Sequence, residues 1–579
     1  MPTQTTPSHR AERLLYIIAV AVTPSIPLFF LYAQNFTEGL QFRHFLILGA
    51  LLGAASLFLY LLISKLLLRR RRTMILLTCF WAFFWFFGGI KNLAARGNSQ
   101  FPDRRIAICL LFLLIALAFV LYQTKMNRLV ANVTAMVLCL LFVFNFTPEA
   151  LAVYAGERQR SENTASGELP YEIKTDFYVD GGLPHPNIYW LHMDGMMGFS
   201  AVAQYFGDPQ TELKNALSQR GFVINENARL EGSYTDLAIP SLLSPLFYDS
   251  YLGEKLAAVT QLTRRFRQEI ISSAMQQDGF AITDIHSYHE ALTAFAEAGY
   301  TNLGNSAIIM RSADVDMEVT GKNVTVGLRE IREQQIAFDK ASDFKDLVAD
   351  ASVLSLFKPS INNWMEKMEP IRTNVLPIPE YPETVNMYVT GSSDSADGMS
   401  DAVRAMRYAT TVQTPHFLFF SNSTPHFARI NGYKIGTVVY DEYIERAFIY
   451  DENGNIYKEP QDDPGHPRLY YPQHIYAVKE MLAQVDTILT YDPGAVIVIQ
   501  GDHGIHGIGR GRGYNSEFMS ARGYSVEDQL NMNLQVMSAV RIPPQYGGLA
   551  EPLDPLDITR YLVNHFVGEG NYEYLYYQD

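Results

Sequence analysis

The chain has 579 residues, of which 48% are hydrophobic, and a formal net charge of −14 at pH 7. A chain this long holds more than one compact region, and its acidic balance excludes a nucleic-acid-binding protein, because the phosphate backbone would repel it. The three cysteines, at positions 79, 109 and 139, all lie in the apolar first quarter of the chain. The remainder must therefore fold without a disulfide, stabilised by its own large core.

Five long apolar runs occupy the first 150 residues. Each is close to the roughly 20 residues that a helix needs to cross a bilayer. We predict membrane-spanning helices at about 14–33, 45–62, 74–90, 106–122 and 129–146. The first run lacks a small-residue cleavage site, which indicates a retained span rather than a signal peptide. Buried helices of a soluble protein are the alternative, and five such runs in succession disfavour it.

The basic residues between the runs predict the orientation. Cytoplasmic loops carry an excess of Lys and Arg, and the strongest cluster, Lys65 with residues 69–72, lies between the second and third runs. Five spans with this loop inside place everything after Phe146 outside the cytoplasm. The charge divides similarly, since residues 1–150 carry +10 and the rest carries −24. We expect a multi-pass protein of the cell membrane whose large C-terminal domain is extracytoplasmic.

Changes in pattern predict the domain boundaries. Residues 1–146 form the transmembrane region, 147–186 a polar linker, and 187–579 an α/β domain with an insertion around 325–410. Within this domain, a helical stretch at 211–219 is followed by a glycine and the apolar residues 222–224. The same unit recurs at 264–282. Helix, glycine and strand in repetition predict a mostly parallel sheet between helices.

Charged and polar residues follow three apolar runs of this domain. Residues 495–499 are apolar without alternation, which is typical of a strand covered on both faces, and they lead to Asp502 and His503. The run at 187–191 leads to Asp194, and the run at 416–420 leads towards His426.

Ligands in open α/β sheets bind at the carboxyl ends of the strands, so these side chains are expected to form one site. Carboxylates together with imidazole suit Zn²⁺ or Mn²⁺ better than Mg²⁺. The sequence therefore predicts a site for a divalent metal, Mn²⁺ or Zn²⁺, with the number of ions left open. Polar turns after buried strands are the structural alternative.

The same stretches carry a family resemblance. The segments PNIYWLHMDG, STPHF and VIVIQGDHG, in this order, resemble the signature blocks of the alkaline phosphatase and sulfatase superfamily. The C-terminal segments LNMNLQVMSAVRIP and LDPLDITRYLVNHFVG resemble the closing segments of its membrane-anchored branch, which includes lipoteichoic acid synthases and phosphoethanolamine transferases. The resemblance implies five spans followed by an external sulfatase-like domain. An ordinary sulfatase needs a cysteine in a C-x-P-S-R motif. None of the three cysteines lies in such a motif, which excludes that activity.

The resemblance also implies roles for individual residues. Relatives attack phosphorus or sulfur with a metal-bound Thr, Ser or formylglycine some forty positions after the first Asp. Thr235 lies in that region, and we expect it to be the catalytic nucleophile; a threonine that caps a turn is the alternative. Matching residues 240–242 to the family's helix start instead places Ala238 at this position, and alanine cannot attack. The expected metal ligands are Asp194, Thr235, Asp502 and His503.

Two residues are expected at the substrate. His426 is a substrate-binding candidate that could also ligate a second metal or lie free in a loop. Arg510, in the segment GRGRG, could bind a substrate phosphate through two hydrogen bonds, or belong to a solvated basic turn.

Two functions follow from this reading. The first is a membrane-anchored, metal-dependent phosphotransferase or phosphoric-ester hydrolase that acts on a membrane lipid or cell-envelope polymer. The alternative is a catalytically degenerate sulfatase-like protein that binds metal and an envelope partner without turnover, and Ala238 motivates it. A transporter is disfavoured, because the predicted spans have almost no central ionisable residues.

Overall fold

In the computed structural model, the N-terminal 166 residues and the segments 276–281 and 333–371 form one compact unit, and the rest of the chain forms a second. The structure describes residues 7–34, 42–66, 69–95, 112–113, 115–117, 119–120, 128–166, 171–232, 234–260, 264–278, 280, 285–306, 308–328, 344–349, 352, 354, 358, 360–361, 375–378, 401–423, 425, 438–441, 446–450, 456–457, 467–505 and 523–577.

The first unit consists of helices. They are α1 (Pro7–Val22), α2 (Ile26–Gln34), α3 (Phe42–Leu66), α4 (Arg70–Ala95) and α5 (Arg128–Ser166). A 3₁₀ turn, Thr23–Ser25, separates α1 from α2 at Pro24, whose ring and missing N–H interrupt an α-helix. Among the described residues, the stretches Ala11–Tyr32, Phe42–Leu66 and Arg128–Thr147 are long and apolar enough to cross a membrane.

These three stretches overlap the first, second and fifth of the five predicted spans. The third predicted run, 74–90, lies within α4, and the fourth, 106–122, lies largely outside the described residues. Helix α5 continues to Ser166, so the first half of the predicted linker is helical. Residues 149–160 are rich in Ala, Glu, Leu, Arg and Gln, which have high helix propensity, and this outweighs the absence of an apolar period.

Among the described residues of the predicted insertion, those from 344 to 361 belong to this first unit, and 325–328, 375–378 and 401–410 belong to the second. Val348 is buried in the core that the helices form, and Phe344 packs against it. The ring of Phe344 lies 4.9 Å from that of Phe45 in α3. The insertion is thus partly a component of the helical unit, a contact that no sequence pattern indicated.

The remaining elements alternate between helices and strands. In chain order they are β1 (Ile188–Met193), α6 (Phe199–Phe206), α7 (Thr211–Gln219), β2 (Val223–Ile224), α8 (Thr235–Leu243), α9 (Arg264–Gln277), α10 (Glu290–Glu297), β3 (Thr301–Gly304), β4 (Met317–Val319), β5 (Asn323–Thr325), β6 (Val375–Pro377), α11 (Asp401–Ala409), β7 (His416–Asn422), β8 (Val438–Asp441), β9 (Arg446–Tyr450), β10 (Ile456–Tyr457), α12 (Pro467–Tyr491), β11 (Val496–Gly501), α13 (Val526–Leu534), β12 (Ser538–Arg541) and α14 (Pro555–Phe566). Short helical turns occur at Pro245–Phe247, Tyr248–Leu252, Gly253–Ala257, Ile309–Arg311 and Pro544–Tyr546.

Nine strands form one mixed sheet in the order β2-β12-β11-β1-β7-β3-β4-β5-β6. The central strands from β11 to β4 are parallel, whereas β12 and β2 at one edge and β5 and β6 at the other are antiparallel. The prediction of a mostly parallel sheet is therefore correct only for the centre. Val223 and Ile224, within the predicted strand 222–224, form the antiparallel edge strand β2, and the connection between β4 and β5 is too short for a parallel crossover. Strands β8 to β10 form a separate antiparallel sheet.

Both faces of the central strands are covered. Trp190, Phe419 and Val498 pack on one face with residues of α8, α10 and α14. Leu191 and Ile499 pack on the other face with residues of α7, α11 and α12. Every residue of β11 is buried, which confirms the strand predicted from its uninterrupted apolar run. The result is a sheet between two helical layers.

Candidate metal centre and active site

The candidate site lies where β1 and β11 end. The two strands pair in parallel, so that Met193 is opposite Gly501, and the residues that follow emerge side by side. The Gly195 N–H donates to Asp502 Oδ1 over 3.0 Å, and Gly195 has the left-handed φ of 74° that this turn requires. A Cβ on Gly501 would lie 2.7 Å from the Met196 carbonyl oxygen, so the two chain segments approach too closely for a side chain.

Three predicted ligands converge at this point. Asp194, Asp502 and His503 each offer an atom within 4.8 Å of the others. His503 Nε2 lies 3.5 Å from Asp194 Oδ1 and 3.5 Å from Asp502 Oδ2. The side chains of Asp502 and His503 are completely buried, and that of Asp194 is 14% exposed. The structure thus assembles these residues from two strand ends that are remote in sequence.

The orientation of the His503 ring favours a cation. Its Nδ1 is 2.7 Å from the Gly504 carbonyl oxygen, which can only accept, so Nδ1 carries the proton and Nε2 is an acceptor in the neutral ring. Nε2 and the two carboxylate oxygens then present electron pairs to one another. Ligating histidines commonly donate their other N–H to a backbone carbonyl in this way. Two carboxylates and an imidazole therefore fit a divalent cation such as Mn²⁺ or Zn²⁺.

The surroundings of Asp502 keep its carboxylate ionised. Burial raises the pKa of this group, but the positive charge of His503 and His192 when their rings are protonated, and the polar contacts of His192 and Thr235, outweigh burial and hold the pKa below its usual range. Asp502 Oδ1 also accepts the His503 N–H over 2.8 Å. An ionised carboxylate is the form that a metal ligand needs.

Thr235 lies beside this cluster. It is the first residue of α8 and partly exposed, and its side chain lies close enough to the Asp502 carboxylate to lower the pKa of that group. Ala238, one turn further along α8, is completely buried in the core that contains Trp190. A Cβ on Gly232 would lie 2.7 Å from the Ala238 Cα, so the preceding loop packs directly on this turn. Of the two residues weighed as the nucleophile, Thr235 is the one in contact with the cluster.

The two residues expected at the substrate, His426 and Arg510, lie outside the described residues. Their roles stay predictions.

Sequence reasoning missed the polar residues behind the cluster. His192 is completely buried, and its Nε2 lies 3.5 Å from Asp502 Oδ1. Two residues before Asp194 on an extended chain, it shares a face with that carboxylate, and this spacing was the available signal. Ser421, whose Oγ lies 2.8 Å from His192 Nδ1, could be found only by knowing that β7 is the neighbour of β1.

A second missed group holds the loop after β1. The Tyr470 hydroxyl donates to the Gly195 carbonyl over 2.9 Å and accepts the Met197 N–H over 2.7 Å. His474, one helical turn along α12, is also buried, and burial lowers its pKa to about 4. The tyrosine therefore fixes the backbone next to Asp194.

Comparison with known proteins adds structural neighbours only. No protein-family model matches the sequence, and no curated protein is detectably similar to it. The integral membrane lipooligosaccharide phosphoethanolamine transferase A (EptA) from Neisseria meningitidis aligns at 9% identity and a TM-score of 0.34, with 96% of each chain covered. The C-terminal periplasmic domain of EcEptC from Escherichia coli, in complex with Zn, aligns at 9% identity and a TM-score of 0.29, covering 67% of this chain and 79% of that one.

A third solved structure is BT1596, a 2-O GAG sulfatase, at 13% identity and a TM-score of 0.29, covering 66% of this chain and 70% of that one. Superpositions this loose carry no argument about function, which must come from the cluster itself. In the sequence blocks around Asp194 and Asp502, the chain resembles the alkaline phosphatase and sulfatase superfamily.

Proposed function

We propose that the chain is a membrane-anchored, metal-dependent phosphotransferase or phosphoric-ester hydrolase that acts on an envelope lipid or polymer outside the cytoplasm. One observation supports this most directly. Asp194, Asp502 and His503 converge at the carboxyl edge of the sheet, and the Thr235 side chain lies beside the same cluster. A hydroxyl next to a ligand set is the arrangement that covalent phosphoryl transfer requires.

The cluster would hold one divalent cation through Asp194, Asp502, His503 and the Thr235 oxygen. Such a cation, when bound, supplies Lewis-acid polarisation of a phosphoryl oxygen and makes a neighbouring hydroxyl easier to ionise. The protein's part is to hold the Asp502 carboxylate ionised, to keep the His503 proton on Nδ1, and to fix the Thr235 oxygen at the start of α8.

In the first step, the Thr235 hydroxyl loses its proton to solvent and Oγ forms a bond to phosphorus. The ester bond from phosphorus to the donor alcohol breaks, and the leaving oxygen takes the electron pair and then a proton. In the second step, a water or an acceptor hydroxyl bonds to phosphorus and loses its proton, and Thr235 Oγ leaves and is reprotonated. Water gives hydrolysis, and an acceptor hydroxyl gives transfer.

The apolar helices support a lipid-borne substrate. Three described helices are long and apolar enough to cross a membrane, and tethering raises the effective concentration of a catalytic domain near lipid headgroups. A lipid-borne phosphoglycerol or phosphoethanolamine group is the donor class that the family resemblance suggests. The multi-pass topology with an extracytoplasmic catalytic domain is part of the proposal.

The proposal can be tested with the full chain purified in detergent and stripped of metal with a chelator. We expect release of nitrophenol from bis(4-nitrophenyl) phosphate only after Mn²⁺ or Zn²⁺ is added back. Thr235→Ala should abolish release, and Thr235→Ser should retain part of it. Ser241→Ala is the matched control, because the Ser241 hydroxyl lies on the same helix but donates to the Leu237 carbonyl over 2.8 Å.

The non-catalytic alternative predicts a different result. It would be favoured by metal binding without turnover of any phosphodiester, unchanged in Thr235→Ala. The alternative was motivated by Ala238 at the position of the family's nucleophile. Ala238 is buried in the core, so it need not be the residue that corresponds to that nucleophile. Equal release by the wild type and Thr235→Ala would contradict the proposed mechanism.

A further inference from the structure

The histidine behind the cluster, His192, has a defined pair of neighbours. It lies in β1 and is completely buried, with its ring stacked on Phe419 at 5.4 Å between centroids. One ring nitrogen, Nε2, lies 3.5 Å from Asp502 Oδ1, and the other, Nδ1, lies 2.8 Å from Ser421 Oγ. The imidazole thus stands between a carboxylate and a hydroxyl.

The proton positions follow from the neighbours. Asp502 is an ionised acceptor, so the contact with Nε2 is attractive only if Nε2 carries a proton. In the neutral ring Nδ1 is then an acceptor, and the Ser421 hydroxyl, which can rotate to suit, donates to it. Ser421 in this way selects the tautomer of His192.

Ser421 is itself held in place by its backbone. Its N–H donates to Asn305 Oδ1 over 2.7 Å, and Asn305 Nδ2 donates to the Ser421 carbonyl over 3.0 Å. The Asn305 side chain therefore fixes Ser421 from both sides, and the three residues form a continuous chain of polar contacts to Asp502.

This chain acts on one oxygen of Asp502. Oδ1 accepts the N–H groups of Gly195 and His503 and faces His192, whereas Oδ2 faces His503 Nε2 at 3.5 Å. The 3.5 Å contact from His192 is longer than an ordinary hydrogen bond, so the dipole of its Nε2–H orients the carboxylate without holding it rigidly. Without it, the two backbone donors alone resist rotation of the carboxylate.

We propose that His192 is a positioning residue for the metal: with Ser421 and Asn305 behind it, it turns Asp502 so that Oδ2 points at the cation. The inference rests on the proposed function, in which Asp502 is a metal ligand. Residues that orient a ligand typically contribute 10- to 100-fold to metal affinity. None of the three needs to touch the substrate.

The test is the dissociation constant for Mn²⁺, measured by titration calorimetry on the full chain in detergent. We expect His192→Met, which fills similar space without a donor, to weaken binding about 10- to 100-fold. His192→Gln retains an N–H donor and should recover part of the affinity, which a space-filling role would not predict. Ser421→Ala should weaken binding less than His192→Met.

His416 provides a matched control. It is a completely buried histidine on the neighbouring strand β7, but it lies at the opposite end of that strand, against the Tyr189 ring at 4.9 Å. His416→Met should leave the Mn²⁺ affinity unchanged. Melting temperatures of the metal-free variants report whether each still folds.

The outcomes separate the inference from the proposed function. If the wild type binds Mn²⁺ and His192→Met binds it equally well, the positioning role is wrong and the proposed function stands. If the wild type binds neither Mn²⁺ nor Zn²⁺, both are wrong. If His192→Met does not fold, the partly exposed Ser421 decides, and an unchanged affinity in Ser421→Ala overturns the chain of contacts.

Discussion

Two aspartates of the α/β unit, Asp502 and Asp557, are both completely buried, yet their surroundings differ. Asp557, in the first turn of α14, is surrounded by donors. Its oxygens accept three backbone N–H groups, and Arg560 Nε lies 3.7 Å away. The three N–H groups are those of Leu575, Tyr576 and Tyr577, at 2.7, 2.7 and 2.9 Å.

Asp502 divides its two oxygens between different kinds of neighbour. Oδ1 accepts backbone N–H groups, but Oδ2 faces the acceptor nitrogen of His503. A buried carboxylate whose oxygens are all met by donors contributes to stability. One that turns an oxygen towards another acceptor is stabilised when a cation lies between them. The two aspartates should therefore respond differently to the same substitution.

The largest effect is expected for Asp502→Asn. The amide is a weaker ligand, so the metal-dependent hydrolysis of a phosphodiester should fall by at least ~10²- to 10³-fold, as for loss of a central electrostatic group. Calorimetry should show weaker Mn²⁺ binding by the folded variant. Hydrolysis at the wild-type rate would show that Asp502 is not part of the active site.

Asp557→Asn should show the opposite pattern. The amide nitrogen would face backbone donors, and the loss of charge-assisted hydrogen bonds should cost roughly 3 kcal/mol of unfolding free energy. Thermal melting of the full chain in detergent measures this as a lower midpoint. Mn²⁺ affinity of the folded fraction should equal that of the wild type, and a loss of affinity as large as in Asp502→Asn would remove the distinction.

A third aspartate, Asp554, should make the stability of the fold depend on pH. It is the N-cap of α14 and accepts the Leu556 N–H over 3.0 Å, but burial, the largest effect, raises its pKa to about 6. The folded pKa thus exceeds the unfolded value near 4, so the folded state favours the protonated form. Stability from this group is fully present below pH 4 and is lost as the pH rises through 6.

Asp554→Asn retains a capping oxygen and removes the charge. The variant should be more stable than the wild type by roughly 2 kcal/mol above pH 7, and the two should converge towards pH 4. Melting temperatures at intervals from pH 4 to pH 8 would show this. A difference that does not change with pH would contradict the burial effect.

The smallest effect is expected at an exposed N-cap residue, Ser525. Asp528 and Ser525 form a capping box at the start of α13, with Ser525 Oγ accepting the Asp528 N–H over 3.0 Å. Ser525→Ala should cost about 1 kcal/mol, typical of a lost N-cap. The melting midpoint should shift slightly and Mn²⁺ affinity should not change, although α13 leads towards the cluster.

The sequence predicted the parts of the site that depend on local pattern. The apolar runs before Asp194 and Asp502 identify central strands, and the carboxyl ends of adjacent parallel strands meet without further information. The bounds of α7 were also predicted as they occur, and α9 begins where the second predicted unit begins, since a helical stretch followed by a glycine is a local signal.

Other features depend on contacts that no local pattern records. The antiparallel edges consist largely of strands of two to four residues, too short to show a period. The burial of Ala238 depends on the path of the loop around Gly232, which sets the phase of α8. The contact of Ser421 with His192 depends on strand order. The roles of His426 and Arg510 stay predictions.

The close approach of Gly501 to Met196 has a consequence for folding. Residues 496–499 are apolar on both faces, so a shift of β11 by one residue would still bury apolar side chains. The free energy of apolar burial would therefore change little. The close approach at Gly501 and the hydrogen bonds of Asp502 favour the native alignment over its neighbours. Asp502, which is proposed to bind the cation, would then also help to set the register of β11. A chain that pairs this strand out of register would therefore lack the metal site.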